Sequence, residues 1–155
     1  MKADIWTDGA CCHKTGITSY GYIIICETHR VIKRGRVIGP GTNNTAEMTA
    51  IIKAVKMSLD IGIDEIFVHS DSTLALGLIF GKMKTSHLHL INLQLTAQSL
   101  KSKFKSVSYE HCPREQGFIP DCDKLANNAL KSQPWAISEP LEANYLDVAY
   151  HNTLN

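Results

Sequence analysis

The sequence contains no apolar run long enough to cross a membrane, which excludes a protein built on membrane-spanning helices. Its first ten residues enter an alternating strand pattern directly, so we predict neither a signal peptide nor a transit peptide. Basic and acidic side chains nearly balance, and a net charge of +1 indicates no general affinity for nucleic acid. Any basic binding surface would therefore have to be local.

The sequence also lacks the cysteine patterns of disulfide-stabilised and zinc-binding domains. Two of its five cysteines are adjacent, the number is odd, and no pair has the CxxC spacing. We therefore expect reduced thiols and a cytoplasmic location. A zinc site formed by His111, Cys112 and Cys122 is an alternative, but its spacing matches no common ligand pattern.

The chain has the size and composition of a single soluble domain. It has 155 residues, of which 44% are hydrophobic and 20% charged, so it can bury a substantial core. The pattern of strands and helices weakens after Pro134. We predict one domain over 1–133 and a C-terminal tail over 134–155, which either packs on the domain or stays flexible.

Five segments have strand patterns and four have helical patterns. The predicted strands are 3–8, 19–26, 31–39, 65–71 and 105–112, and the predicted helices are 44–59, 72–80, 88–104 and 121–132. Short connections join the first three strands, as in an antiparallel meander, whereas helices separate the later strands. The sequence therefore predicts an α/β fold, with a mixed sheet covered by helices.

The first predicted helix points an acidic side chain toward the core. Its apolar stripe includes Ile51 and Ala54, and Glu47 precedes them by four and seven residues on the same face. A carboxylate that faces a core is costly unless another group neutralises it.

Three further acids lie where strands or helices end. Asp8 closes the first strand, Asp71 closes the fourth, and Asp123 lies in the first turn of the last helix. Each has an ordinary alternative: a turn residue, an N-cap and a favourable helix-terminal charge, respectively. A divalent cation would explain all of them together with Glu47, because it keeps clustered carboxylates ionised. Oxygen ligands favour Mg²⁺ or Mn²⁺ over zinc.

Four motifs, in this order and spacing, resemble the type 1 ribonuclease H family. They are "TDGA" at 7–10, "GTNNTAE" at 41–47, "VHSDS" at 68–72 and "PREQ…DCDKLANNAL" at 113–130. The resemblance implies the ribonuclease H-like fold, a five-stranded mixed sheet with helices on both faces. It also implies a monomer that hydrolyses the RNA strand of RNA–DNA hybrids with two metal ions and leaves 5′-phosphate and 3′-hydroxyl ends.

The same resemblance assigns roles to individual residues. The implied metal ligands are Asp8, Glu47, Asp71 and Asp123. Hybrid contacts would come from the backbone of the first loop between Gly9 and His13, with Gly9 and Cys12, and from the capping loop before the first helix, with Thr42, Asn43 and Asn44. Amides there can bond minor-groove base edges, and the 2′-OH distinguishes RNA from DNA. Arg114 would assist catalysis, as in the subgroup that has arginine where other members have histidine.

The chain departs from the family pattern at three places. The first loop, "GACCHKTGITSYGY", lacks the usual Asn-Pro-Gly, and "GKMKTSHLHL" is too short to form the basic protrusion of some members. The loop "PREQGFIPD" lacks the histidine of many members, and "GFIP" replaces the asparagine that the arginine subgroup usually has after "PREQ". The lysines at 82, 84, 101, 103 and 105 either replace that protrusion or form an ordinary solvated surface.

Two other functions remain as alternatives at this point. One is a domain of the same fold that binds hybrid without cutting it, and the other is a different nuclease of the superfamily. The first strand reads "DIWTD", without the Asp-x-Glu pattern of proofreading exonucleases, which argues against that type.

Overall fold

The computed structural model describes residues 1–132, so the predicted tail at 134–155 lies outside the described residues. Five strands and four helices follow one another in these residues. They are β1 (Lys2–Cys11), β2 (Ile17–Cys26), β3 (Val31–Pro40), α1 (Asn43–Asp60), β4 (Glu65–Ser70), α2 (Thr73–Ile79), α3 (Leu88–Lys101), β5 (Ser106–His111) and α4 (Ile119–Ser132). Within them, no helix has the length and apolar character needed to cross a membrane.

The strands form one sheet in the order β3-β2-β1-β4-β5. β1 to β3 pair antiparallel, since short turns connect them, whereas β4 pairs parallel with both β1 and β5. A parallel pair needs a crossover connection, and the helices between the later strands provide it. This topology confirms the predicted five-stranded mixed sheet.

Three helices cover one face of the sheet and enclose the main core. Ile5 of β1, Ile24 of β2 and Val68 of β4 are fully buried there against Met48 and Ile51 of α1. α3 adds further apolar side chains to the same cluster. The helical stripe predicted from the sequence thus packs on the sheet.

The fourth helix covers part of the opposite face. Gly21 of β2 and Gly35 of β3 stand opposite each other in the ladder, and the backbone of α4 packs directly over both. A Cβ atom at either position would overlap the backbone oxygen of Cys122 or Leu125, so only glycine allows this approach. Because successive residues of β2 alternate between faces, the helices lie on both faces, as predicted.

Two boundaries near the motifs differ from the sequence prediction. β1 continues to Cys11, through residues predicted as loop, because its antiparallel pairing with β2 runs on to the pair of Cys11 and Thr18. α4 begins at Ile119, ahead of Pro120, because proline fits the first turn of a helix. The prediction that Asp123 lies in the first turn was therefore wrong, since it is the fifth helical residue.

Two smaller differences concern β4 and α3. β4 ends at Ser70, so Asp71 follows the strand directly instead of closing it. α3 ends at Lys101, before the predicted end at 104, and Ser102 forms its C-cap.

Candidate active site

The candidate site lies in a cleft where the ladder between β1 and β4 ends. Its last paired rung joins Trp6 to His69. Beyond that rung β1 continues along β2, while β4 stops one residue before Asp71. Asp8 and Asp71 each follow a member of the rung by two residues, and their carboxylates come together in the cleft.

Glu47 enters the cleft from the first turns of α1. Thr42 caps that helix, because its side chain accepts a hydrogen bond from the backbone N–H of Thr45. Gly9 then lets the helix approach β1 closely. A Cβ atom on Gly9 would lie 2.5 Å from the carbonyl carbon of Ala46 and 2.6 Å from the backbone nitrogen of Glu47. The missing side chain therefore allows Glu47 to reach the carboxylates of the sheet.

Three carboxylates meet at the base of this cleft. One side-chain oxygen from each of Asp8, Glu47 and Asp71 lies within 4.8 Å of the others. Asp8 is 4% exposed, and Glu47 Oε2 and Asp71 Oδ1 are buried without a hydrogen-bond partner. Buried oxygens of this kind are rare, because an unsatisfied polar atom costs free energy. The three acids thus require a cation or protons.

The electrostatics of the cluster lead to the same requirement. Burial is the largest cause of a raised pKa at both Asp8 and Glu47, and the negative charge of Asp71 raises both further. A divalent cation would compensate for the desolvation and the repulsion together. The donors are all carboxylate oxygens, the type that Mg²⁺ and Mn²⁺ prefer. The residues therefore fit a divalent metal ion.

Asp123 lines the same cleft but lies outside this tight group of three. It is exposed on α4, and its charge contributes to the raised pKa of Asp8. Asn127 donates a hydrogen bond from Nδ2 to Asp123 Oδ1 at 3.1 Å. The amide thus holds one carboxylate oxygen, and the sequence prediction had given Asn127 no role.

Arg114 reaches the cleft from the loop before α4. Its Nε lies 3.5 Å from Asp71 Oδ2, and 79% of its side chain is exposed. An ion pair this long and this exposed contributes little to stability. The guanidinium thus lies at the cleft with most of its hydrogen-bond donors exposed.

The predicted hybrid contacts divide into two groups. Gly9, Asn43 and Asn44 line the cleft, which has a volume of about 330 Å³. Thr42 and Cys12 do not line it; Thr42 caps α1, and Cys12 follows the end of β1. Two lining residues, Ser72 and Asn127, were missed by the sequence prediction, whereas Ala10 and Cys11 lie in the predicted contact segment between Gly9 and His13. That segment was predicted as loop, but Ala10 and Cys11 belong to β1.

The ordinary explanations of the isolated acids do not hold in this structure. Asp8 lies inside the β1 ladder opposite Gly21, and so is not a turn residue. Ser72 caps α2 in place of Asp71, because its side chain accepts a bond from Ala75. Among residues 1–132, only the cluster of Asp8, Glu47 and Asp71 has the geometry of a metal site, so the alternative zinc site gains no support.

Comparisons with known proteins agree with this geometry. Residues 6–129 match the family described as "Reverse transcriptase-like". The bifunctional protein Rv2228c of Mycobacterium tuberculosis is 32% identical over 132 residues, which are 84% of this chain and 36% of that protein. Ribonuclease HI of Halobacterium salinarum is 32% identical over 130 residues, or 83% of this chain and 64% of that protein. The chain thus spans about a third to two thirds of these relatives.

Solved structures with the same fold extend the comparison. The crystal structure of RNase H1 from Halobacterium salinarum superposes with a TM-score of 0.78 at 29% identity, covering 85% of this chain and 99% of that one. The complex of LC11-RNase H1 with an RNA/DNA hybrid superposes with a TM-score of 0.75 at 26% identity, covering 85% and 99%. By sequence, motif order and fold, this chain belongs to the type 1 ribonuclease H family.

Proposed function

We propose that this chain is a metal-dependent endoribonuclease that hydrolyses the RNA strand of RNA–DNA hybrids. The observation that carries the proposal is the group of three carboxylate oxygens within 4.8 Å, two of whose residues have a buried oxygen without a partner. The RNA/DNA hybrid in the complex of LC11-RNase H1 supports the choice of substrate.

Asp8, Glu47, Asp71 and Asp123 would hold two Mg²⁺ ions, or Mn²⁺ in their place, once substrate is bound. Such ions lower the pKa of water and neutralise the charge that develops on the departing 3′ oxygen. The four acids would not act as nucleophiles; they would hold the ions in the cleft between β1, α1 and α4. The products would carry 5′-phosphate and 3′-hydroxyl ends.

The other cleft residues would select and bind the hybrid. The side-chain amides of Asn43 and Asn44 can bond minor-groove base edges, and the backbone of Gly9 lies next to the carboxylates. Arg114 would bind phosphate oxygens, because its guanidinium is always charged and mostly exposed. Thr42 and Cys12 lie further out, so we propose that they contact the backbone of a longer substrate.

More general features support proposals on the cellular location and the oligomeric state of the protein. All five cysteines have free thiols, which is typical of a reducing compartment such as the cytoplasm. We further propose that the chain acts as a monomer, since all the carboxylates of the cleft come from a single chain.

Cleavage of an end-labelled RNA–DNA hybrid tests the function directly. We expect RNA cleavage with Mg²⁺, no cleavage with EDTA, and none with Asp71→Asn, while duplex DNA and single-stranded RNA stay intact. Asp71→Asn should keep or raise the metal-free melting temperature, because it removes one charge from a repelling cluster. An active Asp71→Asn enzyme would refute the two-metal proposal.

The same assay distinguishes the alternatives. A domain that only binds hybrid would shift its mobility in a gel but leave it uncut at every metal concentration. Comparable cleavage of duplex DNA would identify another nuclease of the superfamily.

A further inference from the structure

A buried histidine lies among aromatic rings directly below the carboxylates. The ring of His69 stacks on that of Trp6, with centroids 3.9 Å apart and planes 11° apart. On its other side it stacks on Phe67 at 4.4 Å and 22°. Phe118, from the loop before α4, packs edge-on against Trp6 at 5.5 Å. The histidine is therefore held between two rings, and the stack continues toward the helix that carries Asp123.

Both nitrogens of this histidine contact carboxylates on neighbouring strands. Nδ1 lies 2.8 Å from Glu110 Oε1 on β5, and Nε2 lies 3.0 Å from Asp4 Oδ1 on β1. The His69 side chain is 7% exposed, whereas those two acids are about half exposed, at 53% and 54%. A single side chain of β4 thus bridges both neighbouring strands of the sheet.

The histidine itself belongs to the last rung before the cleft. Trp6 and His69 form the final pair between β1 and β4, whereas Asp4 pairs with Phe67, further from the cleft. Asp8 and Asp71 follow the final pair by two residues and come together beyond it. Those two carboxylates repel each other, and no paired residues join the two strands beyond the rung. The geometry of this last rung therefore helps to set how far apart the two carboxylates stand.

We propose that His69 is a positioning residue that holds Asp71 at metal-binding distance from Asp8. This inference rests on the proposed metal site. His69 does not line the cleft, and its polar contacts are with Asp4 and Glu110. Loss of His69 would change the spacing of β1 and β4. It would therefore weaken metal binding but leave the binding of hybrid unchanged.

Metal binding by a His69→Leu variant tests the inference. The loss of free Mn²⁺ signal in electron paramagnetic resonance measures affinity without any reaction. We expect Mn²⁺ to bind about 10-fold more weakly than in the wild type, the lower end of the range for losing a group that orients metal ligands. The KM for hybrid should stay unchanged, and added metal should restore part of the lost rate.

A second aromatic pair provides the matched control. Phe80 stacks on Tyr109 with centroids 5.0 Å apart, on the opposite face of the sheet from His69. Phe80→Leu also replaces one ring of a stacked pair with leucine. It should lower the melting temperature but leave Mn²⁺ affinity unchanged, which separates positioning from a general loss of packing.

Two further variants make the result decisive. If His69→Leu does not fold, His69→Phe replaces it, because it keeps a ring between Trp6 and Phe67 and removes only the carboxylate contacts. Wild-type Mn²⁺ affinity in the folded variant, or an equal loss in Phe80→Leu, would overturn the inference. Asp71→Asn must itself weaken Mn²⁺ binding; if it does not, the proposed metal site fails instead.

Discussion

At the scale of single residues, protons and metal ions compete for Glu47 and Asp8. The pKa of both groups is raised, mainly by burial, so the folded protein keeps protons that the unfolded chain releases above about pH 4. Without metal, the stability from these two groups is therefore lost as pH rises from about 4 through their raised pKa values. Without metal, the free energy of unfolding is therefore lower at neutral pH than at about pH 4 as far as these two groups are concerned.

A comparison of Glu47→Gln with the wild type isolates this effect. In EDTA, the wild-type melting temperature should fall more steeply between pH 5 and pH 8 than that of Glu47→Gln, because the amide does not titrate. Thermal melts at matched ionic strength measure both slopes. Equal slopes of melting temperature against pH in the two proteins would contradict the raised pKa of Glu47. Saturating Mg²⁺ should reduce the difference between the slopes, because it stabilises the charged wild-type site.

Arg114 is the second residue whose role can be isolated. Arg114→Ala should lower kcat by about 10-fold or more, the scale of losing one electrostatic contact to the transition state. Arg114→Lys should recover only part of the rate, since lysine lacks the planar fork. Steady-state kinetics on a short hybrid measure both.

His111 provides the control for Arg114 in the same region. Its Nε2 lies 3.2 Å from the backbone oxygen of Asp71, so it touches the site from the strand side. If His111→Ala damages the rate while Arg114→Ala is silent, the catalytic role belongs to the histidine.

The sequence identified the isolated acids but not their surroundings. Glu47 was predictable because helical periodicity places it on a buried face, and Asp71 because it follows a strand. Asn127 could not be placed in the cleft in this way, since its position depends on where α4 begins. The contacts of His69 likewise come from three strands brought together only by the fold.

At the scale of elements, the structure follows local propensity except where tertiary pairing overrides it. The meander and the helices were predictable from β-formers, short turns and apolar stripes. Gly9 and Ala10 are poor strand formers, so the end of β1 was predicted as loop, yet pairing with β2 makes it a strand. The order of the strands was not predictable from local pattern either, because β4 joins β1 across a long separation.

The contact between β1 and α1 gives a prediction at this scale. Gly9→Ala would place a methyl group 2.5 Å from the backbone of Ala46, so the helix must move away from the strand. We expect a loss of about 1–3 kcal/mol in unfolding free energy, as for other overpacked sites. The displaced Glu47 should also weaken Mn²⁺ binding. Chemical denaturation and metal titration measure the two effects, and wild-type values in both would show that the contact tolerates a side chain.

At the scale of the whole molecule, the question is where the functional unit ends. The part of the chain that the structure describes, residues 1–132, contains nine elements and a cleft that brings the four acids together. We propose that 1–133 is the catalytic domain. Truncation after Gln133 should therefore leave hybrid cleavage within about 2-fold of the full chain, on the scale of changes that remove no transition-state contact. Loss of soluble, active protein would show that 134–155 belongs to the fold.

The sheet order also has a consequence for the timing of folding. The meander of β1, β2 and β3 involves contacts that are near in sequence, whereas β4 must find β1 after more than fifty residues of intervening chain. Local contacts form early and distant ones late, so Asp71 should join Asp8 only after the main barrier. A metal ion that binds only where Asp8 and Asp71 meet should lower the unfolding rate without raising the folding rate. In stopped-flow experiments, Mg²⁺ should therefore leave the refolding rate nearly unchanged and lower the unfolding rate.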